Sequence, residues 1–75
     1  MPKRTDWEAK ARGLVRAEMG KHGLTYSQLV EKLKAVGVGE DERNLRNKVS
    51  RGKFTAAFLL QCLSAMETHT VHLDG

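Results

Sequence analysis

The middle of this sequence carries a cluster of basic side chains that could bind a polyanion. Within the eleven residues 43–53 there are five cations and no acid, namely Arg43, Arg46, Lys48, Arg51 and Lys53. The other 64 of the 75 residues hold 8 basic and 9 acidic side chains, so the formal net charge of +4 comes entirely from this segment. Clustered cations neutralise nucleic-acid phosphates and release counterions, which provides affinity for any base sequence. The segment therefore indicates nucleic acid as a partner, although basic surface that is merely solvated has the same composition.

The same segment has the periodicity of a helix with a polar outer face. From residue 41 to residue 51 only Leu45 and Val49 are apolar, and their i, i+4 spacing predicts a narrow buried stripe that ends at Gly52. At about 100° per residue, Asn47 lies opposite that stripe. Arginine and asparagine form hydrogen bonds with guanine and adenine edges in the DNA major groove, so this face has the chemistry to read base pairs. Its outward residues are Arg43, Asn44, Asn47, Ser50 and Arg51, with Arg46 and Lys48 on the flanks.

A helix with so little apolar surface must be held by other elements, and the sequence predicts three more helices. The first opens at Thr5 or Asp6, both good N-caps, and ends at Gly20 or Gly23. Its apolar stripe begins at Trp7, which we expect to anchor the core.

The predicted helices before and after the basic one carry clear start signals. Thr25 and Gln28 have the spacing of a capping box, which predicts a helix over residues 26–36. Thr55 caps a fourth helix over residues 56–66. This last helix is apolar nearly all round, which predicts that it is central and the most buried of the four.

The C-terminal residues 67–75 alternate polar and apolar side chains. This pattern fits a short strand that could pair two copies, and it fits a frayed end equally well. The expected fold class is therefore all-α. We expect one domain over residues 1–75, a compact four- to five-helix bundle with its core in residues 6–66, with or without a short C-terminal β-strand.

Length and composition exclude several classes of protein. The longest apolar run, residues 56–60, is far shorter than the roughly 20 residues of a membrane span, and no secretory signal is visible. A lone Cys62 forms no internal disulfide, which suits the cytoplasm. With His69 and His72 it matches no zinc spacing, and no nucleophile–base set is visible. We expect a cytoplasmic binding protein, associated with the nucleoid through DNA, that is not an enzyme and has no cofactor, metal, membrane partner or small-molecule ligand.

Three stretches of the chain resemble the lambda-repressor/Cro-like helix-turn-helix superfamily. They are residues 26–33, the pair Gly37-Val38, and residues 49–54, where a glycine closes one helix and a hydrophobic helix follows. More closely, residues 7–66 resemble short bacterial proteins catalogued only as a domain of unknown function within that superfamily. The resemblance implies a helical bundle containing a helix-turn-helix that binds DNA, commonly as a dimer that represses transcription. The joint over residues 37–45 is two residues longer than is usual there.

The resemblance and the helical face together assign roles to individual residues. Arg43, Asn47 and Ser50 would face base edges. The residues that would contact the DNA backbone are Tyr26, Ser27, Gln28, Asn44, Arg46, Lys48, Arg51 and Lys53, the first three through the start of the preceding helix. Gln28 also has the simpler interpretation of serving only the capping box.

The expected function is sequence-specific binding of double-stranded DNA by a small dimeric transcriptional regulator, with the helix Asp41–Arg51 in the major groove. Two other classes remain. The same fold could be a protein-interaction module, such as an antitoxin or adaptor, whose basic face meets an acidic partner. It could also bind RNA, although a single-strand reader needs exposed aromatic side chains.

Overall fold

Three of the four helices begin where a side chain caps them. The computed structural model describes residues 4–71, with side chains from residue 6 onward, and in this range it contains α1 (Arg4–Lys21), α2 (Tyr26–Ala35), α3 (Glu42–Arg51) and α4 (Ala56–Ala65). The capping box is formed as predicted, since Thr25 Oγ1 accepts from the Gln28 N–H at 3.1 Å and Gln28 Oε1 accepts from the Thr25 N–H at 2.9 Å. Thr55 Oγ1 caps α4 by accepting from the Phe58 N–H.

The cap of α3 is an acid. Asp41 Oδ1 accepts from the backbone N–H of Asn44 at 2.7 Å, and its other oxygen accepts from the Asn44 amide at 3.0 Å. A carboxylate at a helix N-terminus satisfies free N–H groups and complements the helix dipole. The helix therefore begins at Glu42, one residue later than the predicted start at Asp41.

Gly52 ends α3 and joins it to α1. Its φ of +67° is in the left-handed region, and its N–H bonds the carbonyls of Lys48 and Val49. The residue is buried, and a Cβ at this position would collide with the backbone carbonyl of Glu8 on α1. Only glycine combines this φ with this approach, so the end of α3 lies directly on the backbone of α1.

The helices surround one apolar core to which all four contribute. Both α3 and α4 pack against α1 and α2. The buried apolar residues are Val15, Met19, Leu29, Leu33, Leu45, Val49, Phe58, Cys62, Leu63, Ala65 and Met66. The prediction of a compact all-α bundle is confirmed, with four helices in the described part of the chain. None of these helices is long and apolar enough to cross a bilayer.

The prediction that Trp7 anchors the core is wrong. Trp7 is 56% exposed, with Lys10 Nζ 5.0 Å from the centre of its ring. At about 100° per residue, Trp7 lies about 80° around α1 from the fully buried Val15, which places it at the edge of the buried face. Leu60 is 65% exposed, so one side of α4 faces solvent, but α4 still has four buried residues, more than any other described helix, as predicted for the most buried helix.

The chain turns sharply after α4. Glu67 has a φ of +57°, and the Thr68 N–H donates to the Leu63 carbonyl at 2.8 Å, which closes the helix end. Residues 68–71 form no strand. The rest of the predicted tail strand, residues 72–75, lies outside the described residues.

Candidate nucleic-acid interface

Helix α3 is oriented as its two apolar residues predict. Leu45 and Val49 are fully buried, and every other residue of the helix is exposed. The exposed residues include all the sequence-predicted contacts on and just after α3, namely Arg43, Asn44, Arg46, Asn47, Lys48, Ser50, Arg51 and Lys53.

The centre of the outer face is open. Within residues 4–71 the side chains of Arg43, Asn47 and Arg51 make no hydrogen bond or ion pair, and the same holds for Lys53 just beyond the helix. These groups are two guanidiniums, one amide and one ammonium, and their hydrogen-bond donors are unused within the described residues. Such a surface is available to a ligand without breaking any internal contact.

On one flank of α3, Arg46 lies over Tyr26. Its guanidinium carbon is 5.3 Å from the centre of the tyrosine ring, and its Nη2 lies 3.0 Å from Glu42 Oε2. Both members of this ion pair are exposed, so the pair contributes little to stability. The carboxylate of Glu42 reduces the positive potential at this flank, and an anionic ligand that displaces it from Arg46 would restore that potential.

On the opposite flank, Lys48 turns away from the outer face towards the core. Its Nζ lies 2.8 Å from Glu40 Oε2 and 4.8 Å from the centre of the Phe58 ring. The Glu40 side chain is only 10% exposed, whereas Lys48 is 48% exposed, so the pair joins a largely buried carboxylate to a half-exposed cation and links the joint before α3 to the helix. Behind it, the pKa of the Cys62 thiol is raised to about 12, first by burial and then by nearby Glu40, while Lys48 opposes the shift.

Asn44 is also committed within the protein. Its amide nitrogen donates to the carboxylate of Asp41, the residue that caps the helix. Of the predicted contacts on α3, Asn44, Arg46 and Lys48 thus have partners in the described structure, whereas Arg43, Asn47 and Arg51 have none.

Two arginines of α1 join this surface, and sequence reasoning missed both. Arg12 Nη1 donates to the Ser50 carbonyl at 2.9 Å, and Arg16 Nη2 donates to Ser50 Oγ at 3.2 Å. Arg16 Nε also donates to the Tyr26 hydroxyl at 3.3 Å. Arg12 and Arg16 are four residues apart and lie outside the apolar stripe of α1, which indicates that they share a face. That spacing does not show which helix this face contacts.

The start of α2 lies beside α3. Tyr26 is half-buried between Arg16 and Arg46, whereas Ser27 and Gln28 are exposed. Gln28 uses its side-chain oxygen in the capping box, which leaves its amide nitrogen for an outside partner.

No group of three or more potential metal ligands occurs among the described residues. Cys62 is buried as a free thiol in the core. His69 is exposed, and His72 lies outside the described part of the chain.

These features define a small helical domain that displays one basic helix, flanked by arginines from a second helix. The chain belongs to the family described as Domain of unknown function (DUF6471), whose model matches residues 7–71. Comparison with curated proteins finds no significant match, and comparison with solved structures finds none either.

Proposed function

We propose that this protein binds double-stranded DNA in a sequence-specific manner, with α3 as the recognition helix in the major groove. The observation that carries the proposal is the outer face of α3. Arg43, Asn47 and Arg51 are exposed and unpaired within the described residues, and the helix is held from behind by the buried Leu45 and Val49. Unpaired guanidinium and amide groups on one rigid helix suit hydrogen bonding to base edges.

In this proposal α2 and α3 act as the two helices of a helix-turn-helix. They pack against each other, and residues 36–41 connect them. The start of α2 lies beside α3, where Tyr26 contacts Arg46. An arrangement in which the first helix crosses the DNA backbone and the second enters the groove is the geometry of this motif.

The charge distribution supports DNA over an uncharged partner. Each neutralised phosphate contributes about 0.9 to the slope of log K against log salt, so three unpaired cations predict a slope of at least about 3 per protein molecule. Those cations are Arg43, Arg51 and Lys53. As a DNA-binding regulator, with repression implied by the resemblance, the protein would act in the cytoplasm at the nucleoid, by binding and without catalysis.

We also propose that two copies bind together, since one helix reads only a few base pairs. Helix α4 contains no charged residue, and its exposed side includes Leu60 and the small residues Ala57 and Ser64. A second copy of a chain with net charge +4 is repelled by the basic face but not by this uncharged one. Sedimentation with and without DNA tests the proposal: dimers are expected, and monomers under every condition would refute it.

The central experiment selects binding sites from random duplexes and then measures affinity across a range of salt concentrations. Asn47→Ala should relax the preference at one base pair by about 1–3 kcal/mol. Asn44→Ala is a matched control, because the Asn44 amide is bonded to Asp41 and the change should leave base preference unaltered. No binding to any duplex at low salt would overturn the proposal. Binding to an acidic protein alone would favour the interaction-module alternative.

A further inference from the structure

Three polar groups from three helices meet on the α1 side of α3. The guanidinium of Arg16 on α1 bridges the hydroxyl of Tyr26 on α2 and the hydroxyl of Ser50 on α3, at 3.3 Å and 3.2 Å. All three residues remain accessible, with Arg16 and Ser50 exposed. From these contacts we infer that Arg16, Tyr26 and Ser50 form a binding site for one phosphate of the DNA backbone.

The hydrogen-bonding chemistry of this site selects an anion. Both hydroxyls accept from Arg16, so their own hydrogens are directed elsewhere, and within residues 4–71 neither finds an acceptor. A guanidinium has five N–H donors, and Arg16 uses two of them here. The unused donors at the site, three N–H groups and two O–H groups, therefore outnumber the single lone pair left on each hydroxyl oxygen. A phosphodiester, with two charged oxygens that accept and none that donate, is the complementary group.

The surrounding charges favour the same ligand. The guanidinium of Arg46 lies over the ring of Tyr26, and that of Arg12 bonds the Ser50 carbonyl. Three guanidinium groups thus surround one tyrosine–serine pair, and Glu42 is paired with Arg46. An anion at the site relieves the repulsion among these like charges.

The position of the site identifies which part of DNA it meets. On the helical wheel of α3, Ser50 lies about 60° from Asn47, on the flank that faces α1. A helix lying in a major groove about 12 Å wide presents its centre to the bases and its flanks to the two backbones. The inference accordingly gives Ser50 a phosphate contact in place of the base contact that the sequence suggested, and it assigns Arg12 to holding the last turn of α3.

The inference rests on the proposed function, and a comparison of charge-matched variants tests it. Arg16→Gln removes one cation from the site. Lys34→Gln removes one cation from the far end of α2, about 12 Å along the helix from Tyr26. We expect Arg16→Gln to lower the salt slope by about 0.9 and the affinity by about eight-fold at 0.1 M salt, with Lys34→Gln close to wild type.

A second arm locates the phosphate. Duplexes carrying one neutral methylphosphonate at successive positions are titrated with wild type and with Arg16→Gln. At one position the methylphosphonate should weaken binding by the wild-type protein and have no further effect on binding by Arg16→Gln. If every position weakens both proteins equally, Arg16 contacts no phosphate and the inference is wrong.

A third variant keeps the test valid if Arg16→Gln does not fold, which circular dichroism will show. Arg16→Lys retains the charge and loses the forked bonds to the two hydroxyls, so the slope should stay at the wild-type value while affinity falls a few-fold. A slope that falls with the charge retained would overturn the inference. If the wild-type protein binds no duplex, the proposed function itself is refuted. If the wild-type protein binds and Arg16→Gln has the same affinity and salt slope as Lys34→Gln, only the phosphate site is refuted.

Discussion

Replacement of Gly52 by alanine should destabilise this protein more than the same replacement at any other glycine that the structure describes. The residue has a φ of +67°, where a side chain costs about 1–2 kcal/mol. A Cβ would also collide with the carbonyl of Glu8, and overpacking of this kind costs typically about 1–3 kcal/mol. Together these terms give about 2–5 kcal/mol. A domain of this size is stabilised by only about 4–11 kcal/mol, so the variant would retain little stability.

Thermal unfolding followed by circular dichroism measures this effect, and Gly37→Ala is the matched control. Gly37 also has a positive φ, +87°, but nothing lies within 4 Å of a Cβ built there. Its replacement therefore isolates the backbone strain from the collision. At about 4–8 °C per kcal/mol, Gly52→Ala should lower the Tm by at least about 8 °C, and by more than Gly37→Ala does. Equal effects of the two substitutions would show that the contact between α3 and Glu8 does not constrain the fold.

Two further predictions concern the residues behind α3. Lys48→Ala leaves the largely buried Glu40 without its cation, so it should lower the Tm, and Glu40→Gln should lower the Tm less. Lys48→Ala should also reduce the salt slope of DNA binding less than Arg43→Ala does, which would show that Lys48 acts on structure more than on phosphate. Burial raises the pKa of Cys62 from 9.0 to about 12, so the folded state disfavours the thiolate. The stability that the neutral thiol contributes is complete below pH 9 and is lost as the pH rises towards 12. Accordingly, a thiol reagent at pH 8 should label Cys62 only in denaturant, and rapid labelling of the native protein would contradict this account.

Local chemistry explains why the helix starts could be predicted from the sequence. A cap such as Thr25 needs only the residue three positions later, and the bonds of Thr55 are of the same kind. The buried stripe of α3 could be predicted equally well, because Leu45 and Val49 share a face whatever surrounds them. These features depend on spacing within one helix.

Contacts between helices could not be obtained in this way. Periodicity places Trp7 on an apolar stripe, but which part of that stripe the other helices cover depends on their packing, and Trp7 is left exposed. It places Arg12 and Arg16 off that stripe without showing that they reach Ser50, which is 38 and 34 residues away. The pairing of Lys48 with Glu40 likewise depends on how the joint before α3 folds back onto it. Sequence reasoning therefore identified the exposed face of α3 but missed the side chains that other helices bring to its edges.

The acidic start of α3 has a consequence for how the molecule meets a charged partner. Glu40, Asp41 and Glu42 lie at one end of the basic segment, and the five cations of residues 43–53 follow along the helix. This separation gives the domain a side-chain electric dipole along α3, opposite in sense to the dipole of the helix backbone. In the field of a polyanion a dipole experiences a torque, which turns the last turns of α3 towards the partner before any contact forms. The order of charges along residues 40–53 would therefore set the orientation of approach and increase the fraction of encounters that lead to binding.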